Sequence, residues 1–143
     1  DVVVDIVDAS NLERNLYLTV QLIELEANLV VALNMIDLAK SRGYQIDVDR
    51  LPGLLGAPVV PMVATRKEGN KELLREIINV LEGKAIKKKV KLFYGSELEE
   101  HITELEALIS RDGELSHHFP PRWLAIKLLE QDEDVMQKIG EKL

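Results

Sequence analysis

The sequence predicts an α/β domain with a three-stranded parallel sheet, followed by a small all-helical subdomain. Over residues 1–83, apolar runs at 2–7, 29–33 and 57–61 alternate with segments of helical periodicity, which is typical of parallel strands joined by helices. Beyond residue 83 only helical patterns occur, after a basic run made of Lys84, Lys87, Lys88, Lys89 and Lys91. We therefore divide the chain into residues 1–83, the α/β part, and residues 84–143, a linker and helical subdomain.

Residues 2–25 predict the first strand and helix. Residues 2–7 are apolar apart from Asp5, so we expect a strand buried on both faces, with Asp5 a buried carboxylate hydrogen-bonded to a neighbour and not a catalytic group. Residues 8–11 include the cap-forming side chains of Asp8, Ser10 and Asn11. Two apolar sets then follow at helical spacing, and they predict a substantially covered helix: Leu12, Leu16, Val20 and Ile23, with Leu18, Leu22 and Leu25 beside them.

Two more strand–helix pairs complete the α/β part. Residues 29–33 predict a buried parallel strand, followed by short helices at 36–41 and 47–55. The strand at 57–61 contains Pro58 and Pro61, which predicts a sheet edge because proline cannot donate to a ladder. A loop at 62–69 leads to a helix at 70–81, whose predicted apolar stripe is Leu73, Leu74, Ile77, Ile78 and Leu81.

Three helices are predicted in the second part. Ser96, with Glu99 three residues on, predicts a capped start for a helix at 97–110 that stops at Gly113. Pro121 suits the first turn of the next helix, and Asp132 can cap the last. The expected core residues are Leu98, Ile102, Leu105, Leu108 and Ile109 in the first of these helices, and Val135, Met136 and Ile139 in the last.

Composition excludes several classes of protein. The chain has 143 residues, 25 acidic against 18 basic, and a net charge of −7, which disfavours nucleic acid as a partner. Without cysteine it has no disulfide, thiolate metal site or cysteine nucleophile. No apolar stretch approaches the roughly 18 residues that a membrane helix needs, and no signal peptide is visible. Because Asp1 leads directly into a strand, we expect a piece of a longer protein.

The strongest candidate site is the polar turn Asn34-Met35-Ile36-Asp37, directly after the second predicted strand. Open α/β sheets bind ligands at the carboxyl ends of their strands. Asp37 can accept two hydrogen bonds from the N–H groups of a guanine edge, and Asn34 can tie the loop to its neighbours. An ordinary polar turn is the alternative, since an Asn-x-x-Asp pattern alone is a weak signal.

A second loop, Val63-Ala64-Thr65, follows the third strand at the same edge of the sheet. Its small residues let the backbone approach a ligand, so that a backbone N–H can reach a base oxygen; an ordinary strand-to-helix loop is the alternative.

Phosphate-binding motifs are absent, because the sequence contains neither a G-x-x-x-x-G-K-[ST] loop nor an Asp-x-x-Gly segment. Base-side loops without a phosphate loop predict weak nucleotide binding.

Metal and lipid sites are weaker candidates. Glu97, His101 and Glu104 share one helix face and could bind a divalent ion, but a solvated acidic face is favoured. His117 and His118 are interpreted as exposed imidazoles in a turn. The basic run at 84–91 could contact anionic lipid or a partner, although a solvated linker is favoured. No serine has a triad signature nearby.

Three segments resemble the ferrous-iron transporter B (FeoB) family, over nearly the whole chain. Residues 8–19, Asp-Ala-Ser-Asn-Leu-Glu-Arg-Asn-Leu-Tyr-Leu-Thr, resemble a helix start in its cytoplasmic GTP-binding domain. The turn from Asn34 to Asp37 is similar to its guanine-recognition motif, in which methionine is accepted where most small GTPases have lysine. Residues 120–129, Pro-Pro-Arg-Trp-Leu-Ala-Ile-Lys-Leu-Leu, resemble a segment of the helical domain that follows.

The resemblance implies an incomplete P-loop-GTPase-like sheet and a guanine site. Asp37 would bond the guanine N1 and N2 groups, Met35 would pack on the base, and the backbone N–H of Ala64 would reach the guanine oxygen. Asn34 would support the base loop. In the second loop, the family often has serine at the position of Val63. The implied guanine-binding residues are Asn34, Met35, Asp37, Val63, Ala64 and Thr65.

By the same resemblance, the phosphate loop, switch regions and magnesium ligands lie upstream of Asp1. The expected ligand is GTP or GDP, with Mg²⁺ only when that upstream segment is present, and we assign no catalytic residue to this chain. The whole protein would hydrolyse GTP and regulate Fe²⁺ uptake at the cytoplasmic face of the cell membrane, with the membrane domain of the same polypeptide as partner. The helical part would stabilise the GDP-bound state, and oligomeric state stays open. The alternative is a non-catalytic interaction module whose helices dock a partner or that membrane domain.

Overall fold

The computed structural model describes residues 1–85 and 90–140, and the chain divides into two compact units, Asp1–Val90 and Lys91–Leu143. Lys87, Lys88 and Lys89 of the basic run lie outside the described residues. The first unit contains β1 (Val3–Asp8), α1 (Leu12–Glu24), β2 (Leu29–Asn34), α2 (Ile36–Ser41), α3 (Leu51–Leu55), β3 (Val59–Pro61) and α4 (Asn70–Leu81). The second contains α5 (Ser96–Arg111), α6 (Gly113–His118), α7 (Pro121–Leu129) and α8 (Glu133–Gly140).

The three strands form one parallel sheet in the order β1-β2-β3. The central strand β2 is buried from Leu29 to Leu33, as its apolar run predicts. The strand β3 lies at an edge of the described sheet, which confirms the interpretation of Pro58 and Pro61. Because the strands are parallel, Asn34 and the residues after Pro61 emerge at the same edge of the sheet.

The first strand is less buried than predicted. Ile6 is 68% exposed and Val3 is 39% exposed, so the expectation of burial on both faces is wrong. The physical reason is position: within the described residues β1 pairs only with β2. The interpretation of Asp5 is confirmed, because this buried carboxylate accepts a 2.5 Å hydrogen bond from the hydroxyl of Thr19, which is fully buried in α1.

The helices beside the sheet each cover it with one face. In α1 the residues packed on the core include Leu12, Leu16, Leu22 and Ile23. Leu18 and Leu25 are exposed, so the prediction of a substantially covered helix is wrong. A helix that rests on a single sheet buries only one stripe. Leu22 of the second apolar set belongs to that stripe, whereas Leu18 and Leu25 lie outside it.

The predicted bounds of α4 are confirmed, but its predicted apolar stripe is only partly right. Leu73, Ile77 and Val80 pack against the sheet residues Val30, Ala32, Val60 and Met62. Leu74, Ile78 and Leu81 are exposed. Residues one position apart in a helix lie about 100° apart around its axis, so Leu74 and Ile78 face away from the sheet when Leu73 and Ile77 face it.

Loop segments differ from the predictions at two places. The helix expected at 47–55 begins only at Leu51, because the Asp47 carboxylate accepts the Arg50 N–H and closes a turn over residues 47–50. The loop at 62–69 contains a short 3-10 helix, Ala64–Arg66. Both segments are short. A side-chain bond from Asp47 shapes the first, and backbone hydrogen bonds within the loop shape the second.

Caps in the second unit differ from the predicted ones. Gly95 is the N-cap of α5 and Ser96 its first residue, so the predicted Ser96 cap is wrong. The helix predicted at 97–110 does stop before Gly113, because α5 ends at Arg111. Gly113 is also the first residue of α6, a helix that was not predicted, and Asp112 caps α6 by accepting two backbone N–H groups. His117 and His118 are exposed as predicted, but they lie in the last turn of α6 rather than in a loop.

The second unit has its own core between its helices. Its buried residues are Ile102, Ile109, Leu124, Ala125 and Val135. Leu98, Leu108 and Met136, which were expected in this core, are exposed. Pro121 begins α7 as predicted, and Asp132 caps α8 by accepting the Val135 N–H at 3.1 Å.

Candidate functional site

Two loops meet at the carboxyl edge of the sheet. The Leu33 carbonyl accepts the Met62 N–H at 2.8 Å, and the Met62 carbonyl accepts the Ile36 N–H at 3.3 Å. The side-chain oxygen of Asn34 then accepts the Ala64 N–H at 3.0 Å. These three hydrogen bonds bring the two predicted loops into one site, at the edge where open α/β sheets bind ligands.

Met35 turns the chain out of β2. Its backbone is left-handed, with φ 58° and ψ 32°, and it precedes the first residue of α2. This conformation costs a residue other than glycine about 1–2 kcal/mol. The turn places Asp37 in the first turn of α2 and leaves the Met35 side chain 43% exposed. A flexible, polarisable apolar side chain is therefore open to a ligand two residues before Asp37.

The Asp37 carboxylate is oriented by its own helix. One oxygen, Oδ1, accepts the Leu38 N–H at 2.9 Å. The other, Oδ2, lies 3.6 Å from Nη2 of Arg66, and the Asp37 side chain is 39% exposed. The carboxylate is therefore fixed in direction and still reachable from solvent.

The loop that follows β3 is tightly closed. Val63 and Glu68 exchange two backbone hydrogen bonds of 3.2 Å, with the 3-10 helix between them. Gly69 has φ 85°, and a Cβ there would lie 2.5 Å from the Pro61 carbonyl oxygen. The chain can make this close approach only because residue 69 has no side chain.

The predicted loop residues present different groups. The Val63 side chain is buried at 4% exposure, so this residue can meet a ligand only through its backbone. Ala64 and Thr65 are exposed. The Ala64 N–H, which the family resemblance assigns to the guanine oxygen, donates here to Asn34.

Sequence reasoning missed Arg66. Its guanidinium approaches the carboxylate that the sequence marked as the base-reading group. The available signal was a basic residue directly after the Val63-Ala64-Thr65 loop. That signal could not be interpreted without knowing that the two loops are adjacent.

The alternative metal site gains no support from the structure. Among residues 1–85 and 90–140, no three acidic, histidine or cysteine side chains are grouped closely enough to hold an ion, and this range includes Glu97, His101 and Glu104.

In the same range, no helix is long and apolar enough to cross a membrane.

Among the described residues, three parallel strands carry polar loops at their carboxyl edge, and a helical unit follows them in the chain. This is the fold of an incomplete P-loop-GTPase-like domain with a helical domain after it. The family model described as ferrous iron transport protein B matches residues 1–77, and that of the FeoB cytosolic helical domain matches residues 94–143. The chain belongs to the FeoB family.

Curated relatives are similar over most of the chain. A Fe(2+) transport protein A/Fe(2+) transporter FeoB fusion protein of Porphyromonas gingivalis is 38% identical over 143 residues. The Fe(2+) transporter FeoB of Escherichia coli K12 is 39% identical over 132 residues. These alignments cover 99% and 92% of this chain, but only 17% and 16% of the relatives. The chain thus spans about a sixth of their length.

Solved structures of cytosolic FeoB domains share the fold. The T. maritima domain in a GDP form superposes with a TM-score of 0.85 at 31% identity, over 99% of this chain and 54% of that one. The S. thermophilus domain bound to mGMPPNP gives a TM-score of 0.75 at 36% identity, over 92% of this chain and 48% of that one. This chain therefore spans about half of each solved domain.

Proposed function

We propose that this chain supplies the base-binding half of a guanine-nucleotide site in a ferrous-iron transporter, in which GTP hydrolysis by the complete domain is coupled to Fe²⁺ uptake. The carrying observation is the hydrogen bond from Ala64 to Asn34, which sets the loop after β3 beside the exposed carboxylate of Asp37. Support also comes from the relatives, which are Fe(2+) transporters, and from solved FeoB domains with GDP or a GTP analogue.

Asp37 would select guanine over adenine. Guanine presents two adjacent donors, its N1–H and its exocyclic amine, and an ionised carboxylate is an acceptor with two oxygens. Adenine presents an acceptor at N1, which would face the carboxylate with no hydrogen between them. The bond from Leu38 to Oδ1 holds the carboxylate in one direction, so little side-chain freedom remains to be lost on binding.

The remaining residues would form the walls of the base site. Met35 offers an exposed thioether two residues before Asp37, and sulfur packs favourably against aromatic rings. Asn34 holds the second loop through Ala64. Val63 and Thr65 flank Ala64, so the backbone of these three residues would lie along the edge of the base that carries the oxygen.

Phosphoryl transfer would depend on groups that we do not assign to this chain. Such transfer rests on placing the attacking water and stabilising charge on the phosphoryl oxygens, with Mg²⁺ bridging phosphates. Residues 1–143 would bind and orient the base, and we expect this chain alone not to release phosphate from GTP. The membrane domain of the same polypeptide, at the cytoplasmic face of the membrane, would be the partner of this domain, and Fe²⁺ would be the cargo.

Replacing Asp37 with asparagine tests the proposal. In the longer polypeptide that carries the complete domain, the substitution should weaken GDP binding by about 2–4 kcal/mol. The reason is that an amide accepts only one of the two guanine N–H groups, without charge, and turns its own donor toward the other. It should improve binding of xanthosine diphosphate, whose edge is complementary to asparagine. Calorimetry with GDP, ADP and xanthosine diphosphate measures all three affinities.

Asp47→Asn is the matched control, since Asp47 also accepts a backbone N–H from its own turn but lies outside the site. Its nucleotide affinities should equal those of the wild type. Equal affinity of the wild type for GDP and ADP would refute base recognition and favour the interaction-module alternative. Unchanged GDP binding by the Asp37 variant would remove this residue from the site.

A further inference from the structure

We propose that Arg66 competes with the guanine base for the Asp37 carboxylate, and thereby sets the affinity and the salt dependence of the base site. The inference rests on the proposed function. Its basis is the ion pair between Nη2 of Arg66 and Oδ2 of Asp37, 3.6 Å long, formed across the two loops of the site. The base would replace this cation when it binds.

The Arg66 backbone is held in place by the loop. Its N–H donates to the Val63 carbonyl at 2.9 Å, and the Lys67 N–H donates to the Ala64 carbonyl at 3.0 Å. The two backbone hydrogen bonds between Val63 and Glu68 close the loop around these bonds. The backbone of Arg66 is therefore held by the loop, and its guanidinium extends from there to the Asp37 carboxylate.

Competition fits the geometry better than a positioning role for Arg66. Oδ1 of Asp37 is already oriented by the Leu38 N–H, which belongs to the same helix as the carboxylate. Arg66 instead approaches Oδ2, the oxygen with no other hydrogen bond among the described residues. A guanine edge donates two hydrogen bonds and needs both oxygens to accept them. The base and the guanidinium thus both draw on Oδ2, and an oxygen that already pairs with a cation is a weaker acceptor for the base.

The ion pair is weak enough to be displaced. The Arg66 side chain is 63% exposed and that of Asp37 is 39% exposed. Ion pairs this exposed change an equilibrium by about two- to fivefold. Removing Arg66 should therefore raise the affinity for the base by about this factor, which fits a device that tunes the site without closing it.

Guanosine is the appropriate probe, since it is uncharged. A phosphate-bearing ligand would also be attracted by Arg66 at long range, and that attraction would hide the competition. Binding of guanosine and adenosine is measured by calorimetry on the full-length polypeptide that carries this chain. Arg66→Gln should bind guanosine about two- to fivefold more tightly than the wild type.

Lys67→Gln is the matched control, because it removes the same charge one residue away. Within the described part of the chain, Lys67 is not among the cations within 4 Å of Asp37. Its guanosine affinity should equal that of the wild type. An equal gain in both variants would refute pairwise competition and indicate a general effect of net charge.

Salt gives an independent arm of the test. Raising the ionic strength from about 0.05 to about 0.5 M screens an exposed ion pair. Guanosine affinity of the wild type should rise toward that of Arg66→Gln, whose own affinity should stay constant. Equal or weaker guanosine binding by Arg66→Gln, with guanosine still preferred over adenosine, overturns this inference alone. Equal binding of guanosine and adenosine by the wild type overturns the proposed function as well.

Discussion

Replacing Arg122 with glutamine is expected to lower the free energy of unfolding of the Lys91–Leu143 unit by about 2–3 kcal/mol. Arg122 donates two hydrogen bonds to Glu99, of 2.8 and 3.1 Å, and one of 2.7 Å to the Leu92 carbonyl. The two side chains are only 12% and 14% exposed, so solvent screens this pair far less than it screens a surface pair.

The magnitude follows from what the variant leaves behind. Fully buried pairs cost about 3–5 kcal/mol when one partner is removed. Here Glu99 keeps the Tyr94 N–H at 3.2 Å and Lys91 at 3.9 Å, so its charge is not left alone. The loss should therefore lie below that range. For a unit of this size it corresponds to a fall in melting temperature of roughly 10–20 °C.

Trp123 provides the assay. It is the only tryptophan in the sequence, it follows Arg122 in α7, and its ring stacks on Phe119 with centroids 5.7 Å apart. Its fluorescence thus reports unfolding of this unit. Arg111→Gln, at an exposed arginine of α5, is the control and should change stability by less than about 0.5 kcal/mol.

Acid should narrow the difference between the wild type and Arg122→Gln. The hydrogen bonds from Arg122 hold the pKa of Glu99 below its ordinary value of 4.5, against the opposing effect of burial. A lowered carboxyl pKa gives stability that is fully present above the ordinary value and is lost as the pH falls through the lowered one. A stability difference that stays constant into strong acid, or a Glu99→Gln and Arg122→Gln cycle with additive effects, would refute this account.

Two further substitutions test the α/β unit. Thr19→Val should destabilise it by about 1.5–3 kcal/mol in urea unfolding, because the buried Asp5 carboxylate loses its hydroxyl donor; the exposed Thr103→Val is the control, and equal effects would contradict the prediction. Gly69→Ala should cost about 1–3 kcal/mol, because its Cβ would meet the Pro61 carbonyl at a left-handed backbone. Gly53→Ala is the control and should leave the free energy of unfolding unchanged or raise it, because a Cβ there meets nothing within 4 Å. An equally small change for Gly69→Ala would show that the loop can relax.

Local patterns predicted the elements well where a single physical rule decides them. The run at 29–33 predicted a buried parallel strand, because every residue is apolar, and the structure makes it the central one. Pro58 and Pro61 placed their strand at an edge, since proline lacks the N–H that an inner strand must donate. Family resemblance and the strand ends together located the candidate loops at Asn34 and Val63.

Burial was predicted less well, because periodicity does not show how many neighbours an element has. Ile6 and Leu18 are as apolar as their buried neighbours, yet both are exposed. Ile6 lies in β1, which pairs with only one strand among the described residues, and Leu18 lies outside the stripe of α1 that packs on the sheet. The predicted cap at Ser96 is wrong because it depends on a distant residue. Glu99 was expected to support Ser96, but its carboxylate accepts a hydrogen bond from Arg122, 23 residues away.

The sequence by itself determined the order of strands and helices, the buried carboxylate Asp5 and the two loops that carry the candidate base site. These depend on neighbouring residues, whose propensities and side-chain bonds act locally. Only the tertiary structure decided that Asn34 binds the Ala64 backbone and that Arg66 faces Asp37. Those contacts join residues about 30 positions apart, and their distance depends on the register of two parallel strands, which no local pattern specifies.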